Sequence, residues 1–202
     1  MLFRSKHWNL TEPGGKRDKV LLNKSEKEYI DIAGEFNRTI GAKVSILKIM
    51  RLENPKLYRR YYTHKTDLEK ERPDITAEQM LFHGTHPDAV ANINANNFNR
   101  SYCGTAYGTW YGKGVYFATN ASISHKFAKP DSNGHTYMYY ANVLTGEFCK
   151  GKSDMKDPPA KDFRNPYVLF DSTVNDMTNP TEFVVYRDTQ MYPHYLITYK
   201  RI

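Results

Sequence analysis

Apolar residues recur every three or four positions between residues 25 and 40, a spacing that predicts an amphipathic helix. Ser25 and Glu28 are spaced as a capping box, so we expect the helix to begin at Ser25. Gly41 is expected to end it, because glycine readily adopts the left-handed backbone conformation that closes many helices. The pattern thus predicts a helix with one buried face.

A strand and a second helix are predicted next. Apolar and polar residues alternate from Val44 to Leu52, and the apolar residues fall on both sides of the alternation, which indicates a strand partly covered on each face. Asn54 is suited to cap a helix, and Pro55 is suited to its first position. The buried stripe of this helix is predicted to comprise Leu57, Tyr58, Tyr61 and Tyr62.

Beyond residue 78 the pattern changes to short apolar runs separated by Gly, Asn and Pro, which is typical of strands. Predicted strands occupy residues 80–82, 115–118, 137–144, 183–186 and 195–199, and predicted short helices occupy residues 87–96 and 120–128. Helices followed by several short strands favour an α+β fold with a mostly antiparallel sheet.

The connections between these elements are predicted from turn-forming residues. Thr145-Gly146 is expected to form a hairpin turn, whereas residues 152–165 and 171–180 are expected to be long loops. Residues 1–24 are predicted to be an irregular lead-in. We therefore expect this lead-in to be followed by one domain over residues 25–202.

Composition narrows the class of protein. The chain has 202 residues, of which 40% are hydrophobic and 25% charged, as is typical of a soluble single domain. Its two cysteines lie far apart and form no metal-binding motif, so we expect no metal and a reducing, intracellular compartment. We expect no membrane association, because no segment reads as a membrane span or a signal peptide.

The net charge of +7 favours polyanionic partners such as nucleic acid or a phosphorylated cofactor. No nucleic-acid-binding motif accompanies this charge, so nucleic acid is only weakly supported as a partner.

Two glycine-containing motifs border predicted strands. His83-Gly84-Thr85 ends one apolar run, and a glycine there lets a ligand approach the backbone closely. Gly112-Lys113-Gly114 forms a tight turn before another run, without the spacing of a phosphate-binding P-loop. A segment that contains Ser122, Ser124 and Phe127 follows that second strand.

Taken in this order, the motifs resemble the catalytic domain of the poly(ADP-ribose) polymerase family. The run Glu182–Gln190, followed by Tyr195-Leu196-Ile197, is similar to the last two strands of that family. The resemblance implies the ADP-ribosyltransferase fold, in which N-terminal helices pack on a mostly antiparallel split β-sheet that encloses an NAD cleft. Within the family, the chain looks most like the macrodomain-associated branch of mono-ADP-ribosyltransferases.

The resemblance also implies roles for individual residues. The family's His-Tyr-Glu catalytic triad falls on His83, Tyr116 and Glu182. The macrodomain-associated branch commonly has an apolar residue at the position of Glu182, so this glutamate departs from the pattern of the branch. Phe127 replaces the family's stacking tyrosine, which keeps the ring and loses the hydroxyl. The residues implied to bind NAD are His83, Gly84, Thr85, Tyr116, Ser124 and Phe127.

The chemistry of NAD cleavage suits residues of these types. Breaking the nicotinamide glycosidic bond builds positive charge on the ribose, which a carboxylate such as that of Glu182 stabilises. The backbone of Gly84 and the hydroxyl of Ser124 suit the carboxamide, and the rings of Tyr116 and Phe127 suit stacking on nicotinamide. The resemblance thus implies an ADP-ribosyltransferase that uses NAD as co-substrate and needs no metal.

The sequence leaves the acceptor open. The resemblance implies protein acceptors, including the chain itself, and Glu182 permits polymer elongation without requiring it. Few residues precede the first predicted helix, so we expect no autoinhibitory helical domain and unobstructed access of NAD. We expect a cytoplasmic and/or nuclear protein, whose oligomeric state the sequence does not indicate.

Two other functions are compatible with the sequence. The same fold could transfer ADP-ribose to nucleic-acid ends or act as a related RNA 2′-phosphotransferase, which the positive charge favours. The chain could also be a non-catalytic module that binds NAD or ADP-ribose, an interpretation that the intact set of His83, Tyr116 and Glu182 disfavours. Binding of NAD without release of nicotinamide would identify such a module.

Overall fold

The computed structural model of the protein describes Trp8, residues 18–102 and residues 108–202. The α-helices are α1 (Lys27–Ile40), α2 (Pro55–Glu71), α3 (Pro87–Asn96) and α4 (Ala121–His125). The strands are β1 (Asp18–Leu21), β2 (Val44–Glu53), β3 (Glu78–Thr85), β4 (Val115–Ala118), β5 (Thr136–Leu144), β6 (Phe148–Lys150), β7 (Ala160–Asp162), β8 (Asn165–Leu169), β9 (Ser172–Val174), β10 (Glu182–Val185) and β11 (Met191–Arg201). None of the helices in these ranges is both long and apolar enough to cross a lipid bilayer.

Nine strands form one sheet in the order β1-β2-β11-β5-β3-β4-β10-β9-β6. Neighbouring strands run antiparallel except β6 and β9, which run parallel. Strands β7 and β8 form a separate two-stranded hairpin. Helices combined with a mostly antiparallel sheet confirm the predicted α+β fold.

The sheet is split between β3 and β4. Strand β3 pairs with β5 along its whole length, and β4 pairs with β10 along its whole length. Between β3 and β4 themselves, the described residues pair only at Phe82 and Ala118. Beyond that pair, no backbone hydrogen bonds of the sheet join the described residues of the two strands. We call the facing ends of the two strands, residues 83–85 and 115–117, the seam.

Apolar side chains cover both faces of the sheet. Helix α1 packs on one face, where Phe36 lies against Phe82 with ring centroids 6.2 Å apart. On the opposite face Phe98 makes edge contacts with Phe117 and Tyr139. A third apolar cluster attaches α2 to the sheet and comprises Trp8, Leu57, Tyr61, Leu68, Ala77, Leu144 and Tyr192.

Helix α1 begins later than predicted, and the predicted capping box does not form. The residue that caps α1 is Glu26, whose side chain makes no capping hydrogen bond, and Ser25 bonds to a neighbouring asparagine. The carboxylate of Glu28 instead accepts hydrogen bonds from Arg51 at 2.6 Å and from the hydroxyl of Tyr195 at 2.7 Å. The prediction was wrong because partners from the sheet occupy the side chain that would have closed the box.

Other helix boundaries follow the sequence. Gly41 ends α1 with a φ of 64°, in the left-handed region. The Asn54 side chain accepts a hydrogen bond from the Leu57 N–H at 3.3 Å, so it caps α2 as predicted. In the predicted stripe of α2, Leu57 and Tyr61 are buried and Tyr58 and Tyr62 are half-buried.

The predicted strands of the second half are present. They lie within β3, β4, β5, β10 and β11, although β10 ends before Tyr186. Helix α3 has the predicted bounds, and α4 is shorter than predicted.

Four predicted connections or irregular segments were wrong where the structure describes them. Thr145-Gly146 is not a hairpin turn, because β6 pairs with β9 rather than with β5, and the Gly146 N–H donates to the Ala77 carbonyl. Residues 152–165 contain β7 and the start of β8, residues 171–180 contain β9, and residues 1–24 contain β1 and the buried Trp8. These strands are too short for a clear alternation, and β1 and β9 form through partners distant in sequence, whereas β7 and β8 pair with each other. The rest of the predicted lead-in and Cys103 lie outside the described residues.

Candidate active site

His83 bridges the seam. Its Nδ1 lies 2.8 Å from the carbonyl oxygen of Tyr116. A carbonyl can only accept, so Nδ1 carries the proton, and Nε2 of the neutral ring keeps its lone pair. Burial lowers the pKa of His83, and the ring is therefore neutral at pH 7. The imidazole packs against Phe98 and Phe117, and its Nε2 is the atom suited to accept a hydrogen bond from a ligand hydroxyl.

Gly84 brings the end of β3 against α4. A Cβ added at Gly84 would lie 2.0 Å from the carbonyl oxygen of Ser124 and 3.1 Å from the Cβ of Ala128. The glycine is thus required for close packing of the strand on the helix, whatever a ligand also needs there. Ser124 is buried, and its hydroxyl donates to the Phe82 carbonyl at 2.9 Å, so the hydroxyl oxygen retains lone pairs that can accept.

The hydroxyl of Tyr116 is occupied by backbone groups. It donates to the Gly112 carbonyl at 2.9 Å and accepts from the Tyr111 N–H at 2.9 Å. Burial raises the pKa of Tyr116 to about 12, so the phenol is protonated at neutral pH. Because the proton of this hydroxyl is already donated to a backbone carbonyl, the hydroxyl is poorly placed for proton transfer. The face of the Tyr116 ring is therefore better suited to contact a ligand.

The turn before β4 is built around the same hydroxyl. Gly112 has a φ of 135°, and an added Cβ there would lie 1.8 Å from the hydroxyl of Tyr186. The hydroxyl of Thr173 donates to the Tyr111 carbonyl at 2.7 Å. Contacts from β9 and from the end of β10 therefore hold the turn that holds Tyr116.

Glu182 is the first residue of β10 and lies opposite Ala118 of β4. Burial raises the pKa of its half-buried carboxyl group, and the ammonium of Lys126 acts in the opposite direction. Among the described residues, no hydrogen bond reaches this carboxylate from another side chain or from the backbone. The carboxylate therefore has capacity to accept hydrogen bonds from a ligand.

The three predicted triad residues approach the seam from two faces. Directly paired residues on neighbouring strands point to the same side of a sheet. The pairs Glu182–Ala118 and Val184–Tyr116 therefore put Glu182 and Tyr116 on one face. His83 points to the other face, where it contacts Phe98 and Phe117. A ligand must occupy the seam to contact both sets, which is the role expected of an NAD cleft.

The remaining predicted binding residues lie beside this gap. Thr85 is buried at the end of β3, two residues after His83 and so on the same face. Phe127 lies just beyond α4, its N–H donates to the Ser124 carbonyl at 3.1 Å, and its ring is partly exposed. The structure thus collects all the predicted site residues around the seam, α4 and the start of β10.

Two residues near the site escaped the sequence analysis. Lys126 acts electrostatically on Glu182, and the side chain of Asn175 bonds the backbone of Glu182. Lys126 sits within the motif that contains Phe127, yet lysine is common on solvated surfaces and gave no separate signal. Asn175-Asp176 is a turn signal directly after the run Ser172-Thr173-Val174, and that signal could have drawn attention to Asn175.

Comparison with known proteins decides the family. Residues 26–201 match the family described as "Poly(ADP-ribose) polymerase catalytic domain". The chain belongs to this family. The match spans both halves of the split sheet and the seam between them.

Several curated proteins share this catalytic domain. The chain is 39% identical over 184 residues to the "Protein mono-ADP-ribosyltransferase PARP14" of Homo sapiens, which covers 90% of this chain and 10% of the relative. It is 40% identical over 182 residues to PARP12 of Mus musculus, which covers 90% of this chain and 25% of the relative. PARP10 of Mus musculus is 36% identical over 198 residues, with 96% of this chain and 20% of the relative covered. The chain thus spans at most a quarter of the length of these three relatives.

Proposed function

We propose that the chain is an NAD-dependent ADP-ribosyltransferase that cleaves the nicotinamide glycosidic bond and transfers ADP-ribose to protein side chains. Membership of the family supports this proposal, as do relatives that are themselves named protein mono-ADP-ribosyltransferases. The observation that carries it is the seam, where Glu182 lies on the same face as the ring of Tyr116 and its carboxylate accepts no hydrogen bond from the described residues.

Glu182 supplies the charge in this proposal. Loss of nicotinamide builds positive charge on the ribose, and an ionised carboxylate beside it stabilises the transition state more than the ground state. The same carboxylate accepts a hydrogen bond from a ribose hydroxyl. Half-burial strengthens both interactions, because the local dielectric is lower than that of water.

The other site residues bind and orient NAD. Gly84 and Ser124 hold the carboxamide, through backbone groups and a hydroxyl oxygen respectively. Tyr116 and Phe127 contact the two faces of the nicotinamide ring, while His83 accepts a ribose hydroxyl on the adenosine side through Nε2. Thr85 adds a hydroxyl beside that ribose. Such positioning can lower the activation barrier substantially, which matters most in a reaction that needs little acid catalysis.

Protein acceptors, including the chain itself, fit this reaction. The relatives are named mono-transferases, whereas Glu182 would also permit elongation of a polymer. We also propose that the protein lies inside the cell, in the cytoplasm and/or nucleus, because its two cysteines are widely separated in the sequence and form no metal-binding motif. Imaging of the tagged protein tests this location.

The first experiment incubates the purified chain with NAD labelled in its adenylate half, followed by a denaturing gel and measurement of released nicotinamide. A labelled sharp band with nicotinamide release is expected for mono-transfer, and a smear removed by a poly(ADP-ribose) glycohydrolase is expected for polymer. NAD binding without release would overturn the proposal in favour of a binding module, and label on added RNA ends alone would favour a nucleic-acid acceptor.

Glu182→Gln tests the role of the carboxylate. The substitution keeps the shape and removes the charge, so NAD binding is expected to change little while transfer falls by roughly 10² or more. Glu71→Gln is the matched control, because Glu71 is exposed on α2 away from the seam. Wild-type turnover in Glu182→Gln would remove this carboxylate from the mechanism.

A further inference from the structure

Each of the four backbone polar groups of Thr181 and Glu182 has a partner, and one residue, Asn175, accounts for three of them. The Thr181 carbonyl accepts from the Thr119 N–H at 3.0 Å. The Oδ1 of Asn175 accepts from the N–H groups of Thr181 and Glu182, each at 3.0 Å. The Asn175 N–H donates to the Glu182 carbonyl at 3.3 Å. Asn175 therefore sets the direction of the chain where β10 begins.

The amide of Asn175 is itself held in one orientation. Its Nδ2 donates to the hydroxyl oxygen of Thr181 at 2.8 Å, which directs Oδ1 towards the two N–H groups. The main-chain carbonyl of Asn175 accepts from the ammonium of Lys150. Rotation of this side chain would break three hydrogen bonds at once, so the amide acts as a rigid clamp on residues 181 and 182.

The carboxylate of Glu182 depends on this clamp. Among the described residues no hydrogen bond holds the carboxylate directly, so its place at the seam follows from its backbone and from packing. Catalytic groups must be held to about 0.5 Å of the productive geometry. Misplacement by about 1 Å can reduce a rate by about 10²-fold. We propose that Asn175 is a positioning residue that aims Glu182 at the reacting ribose, an inference that rests on the proposed role of Glu182.

Substitution of Asn175 tests the inference through steady-state nicotinamide release. Asn175→Ala is expected to lower kcat about tenfold or more, while the KM for NAD stays within about twofold, because the NAD-binding residues lie on other elements. Asn179→Ala is the matched control, since Asn179 lies in the same loop with an exposed side chain. Its kcat is expected to equal that of the wild type.

Asn175→Asp is the conservative variant. Its carboxylate can accept from both N–H groups, and the Thr181 hydroxyl can turn to donate to it. The kcat of Asn175→Asp is therefore expected to stay within about twofold of the wild type at alkaline pH. In the pH profile of kcat, the fall in activity at acid pH is expected to move to higher pH, because the added negative charge raises the pKa of Glu182. A loss of kcat in Asn175→Asp as large as that in Asn175→Ala would overturn the inference.

A double-mutant cycle separates positioning from a general effect on folding. If Asn175 acts through Glu182, then Asn175→Ala costs little further turnover in a Glu182→Gln background. An equal loss in both backgrounds would overturn the inference. If Asn175→Ala does not fold, Thr181→Val takes its place in the cycle, because it removes the hydrogen bond that keeps the Asn175 amide from rotating. We expect Thr181→Val to lower kcat less than Asn175→Ala would, and only when Glu182 is intact.

The two proposals fail in different ways. If Glu182→Gln collapses turnover and neither Asn175→Ala nor Thr181→Val reduces kcat, only the positioning role fails. If Glu182→Gln retains wild-type turnover, the proposed role of Glu182 fails and the role of Asn175 fails with it.

Discussion

Glu182 carries the charge of the candidate site, and two opposite effects act on the pKa of its carboxyl group. Burial raises that pKa and is the larger effect, whereas the ammonium of Lys126 lowers it. In the proposed mechanism the group acts as a carboxylate, so activity is expected above its pKa and is expected to be lost as the pH falls through it. The acid limb of the pH profile therefore reports on this residue.

Removal of the Lys126 charge tests this balance. Lys126→Met is expected to raise the pKa of Glu182 further, so the acid limb of kcat/KM moves to higher pH. Lys129→Met, an exposed lysine close in sequence, is the control and should leave the limb in place. If the acid limb of kcat/KM in Lys126→Met is unchanged or lies at lower pH, the assignment of that limb to Glu182 is contradicted.

Burial lowers the pKa of His83 and raises that of Tyr116, so both of these candidate site residues are uncharged at neutral pH. His83 is neutral, with Nδ1 bonded to a backbone carbonyl, and Tyr116 is protonated, with its hydroxyl bonded to backbone. At the scale of residues the site therefore combines one charged group with fixed, neutral binding groups. Such an arrangement suits a reaction whose barrier is lowered mainly by charge and orientation.

Helix α4 is the element that links the binding residues to the rest of the fold. It carries Ser124 and leads into Phe127, but at five residues it is too short to be stable alone. The Thr39 hydroxyl of α1 accepts from the Ala121 N–H at 3.1 Å at the start of α4. At its end, His125 Nδ1 lies 2.7 Å from the Tyr199 hydroxyl of β11. Tertiary contacts thus determine where α4 lies.

Thr39→Val tests the support at the start of α4. The substitution keeps the side-chain shape and leaves the buried N–H of Ala121 without its partner, which typically costs about 1–3 kcal/mol. Urea unfolding should show this loss, and NAD affinity should fall with it. Thr66→Val is the control, because the Thr66 hydroxyl bonds only within α2. A stability equal to that of the control would mean that Thr39 does not support α4.

At the scale of the whole molecule, the order of strands assembles the site from distant parts of the chain. Strand β3 brings residues 83–85, β4 brings Tyr116 and β10 brings Glu182. In the cluster that attaches α2 to the sheet, Trp8 is buried against Tyr58 and Tyr192, with ring centroids 4.9 and 6.3 Å away. The N-terminal segment therefore contributes both a strand and a core residue to the catalytic domain.

Trp8→Ala measures that contribution. Loss of a buried Trp typically costs about 3–5 kcal/mol, and we expect about 3 kcal/mol here because the buried indole N–H has no hydrogen-bond partner among the residues that the structure describes. Urea denaturation provides the measurement, and Trp110→Ala, at a site where the side chain is 71% exposed, provides the comparison. Equal stability of the two variants would show that Trp8 does not belong to the core.

The elements with strong local signals could be predicted from the amino-acid sequence alone. Helical spacing identified α1 and α2, an asparagine and a proline identified the start of α2, and short apolar runs identified β3, β4, β5, β10 and β11. The order of the motifs identified the family, which the comparison confirmed. These signals are local because burial of one face imposes the period of the helix or strand on the sequence itself.

Other features of the fold and of the candidate site depend on contacts between segments that are distant in the sequence. The parallel pairing of β6 with β9, the addition of β1 at the sheet edge and the seam between β3 and β4 depend on partners far away in sequence. The tautomer of His83 and the clamp of Asn175 on Glu182 depend on backbone groups whose positions exist only once the sheet has formed. Side-chain periodicity records that a face is buried, and it does not record which strand or backbone group lies against it.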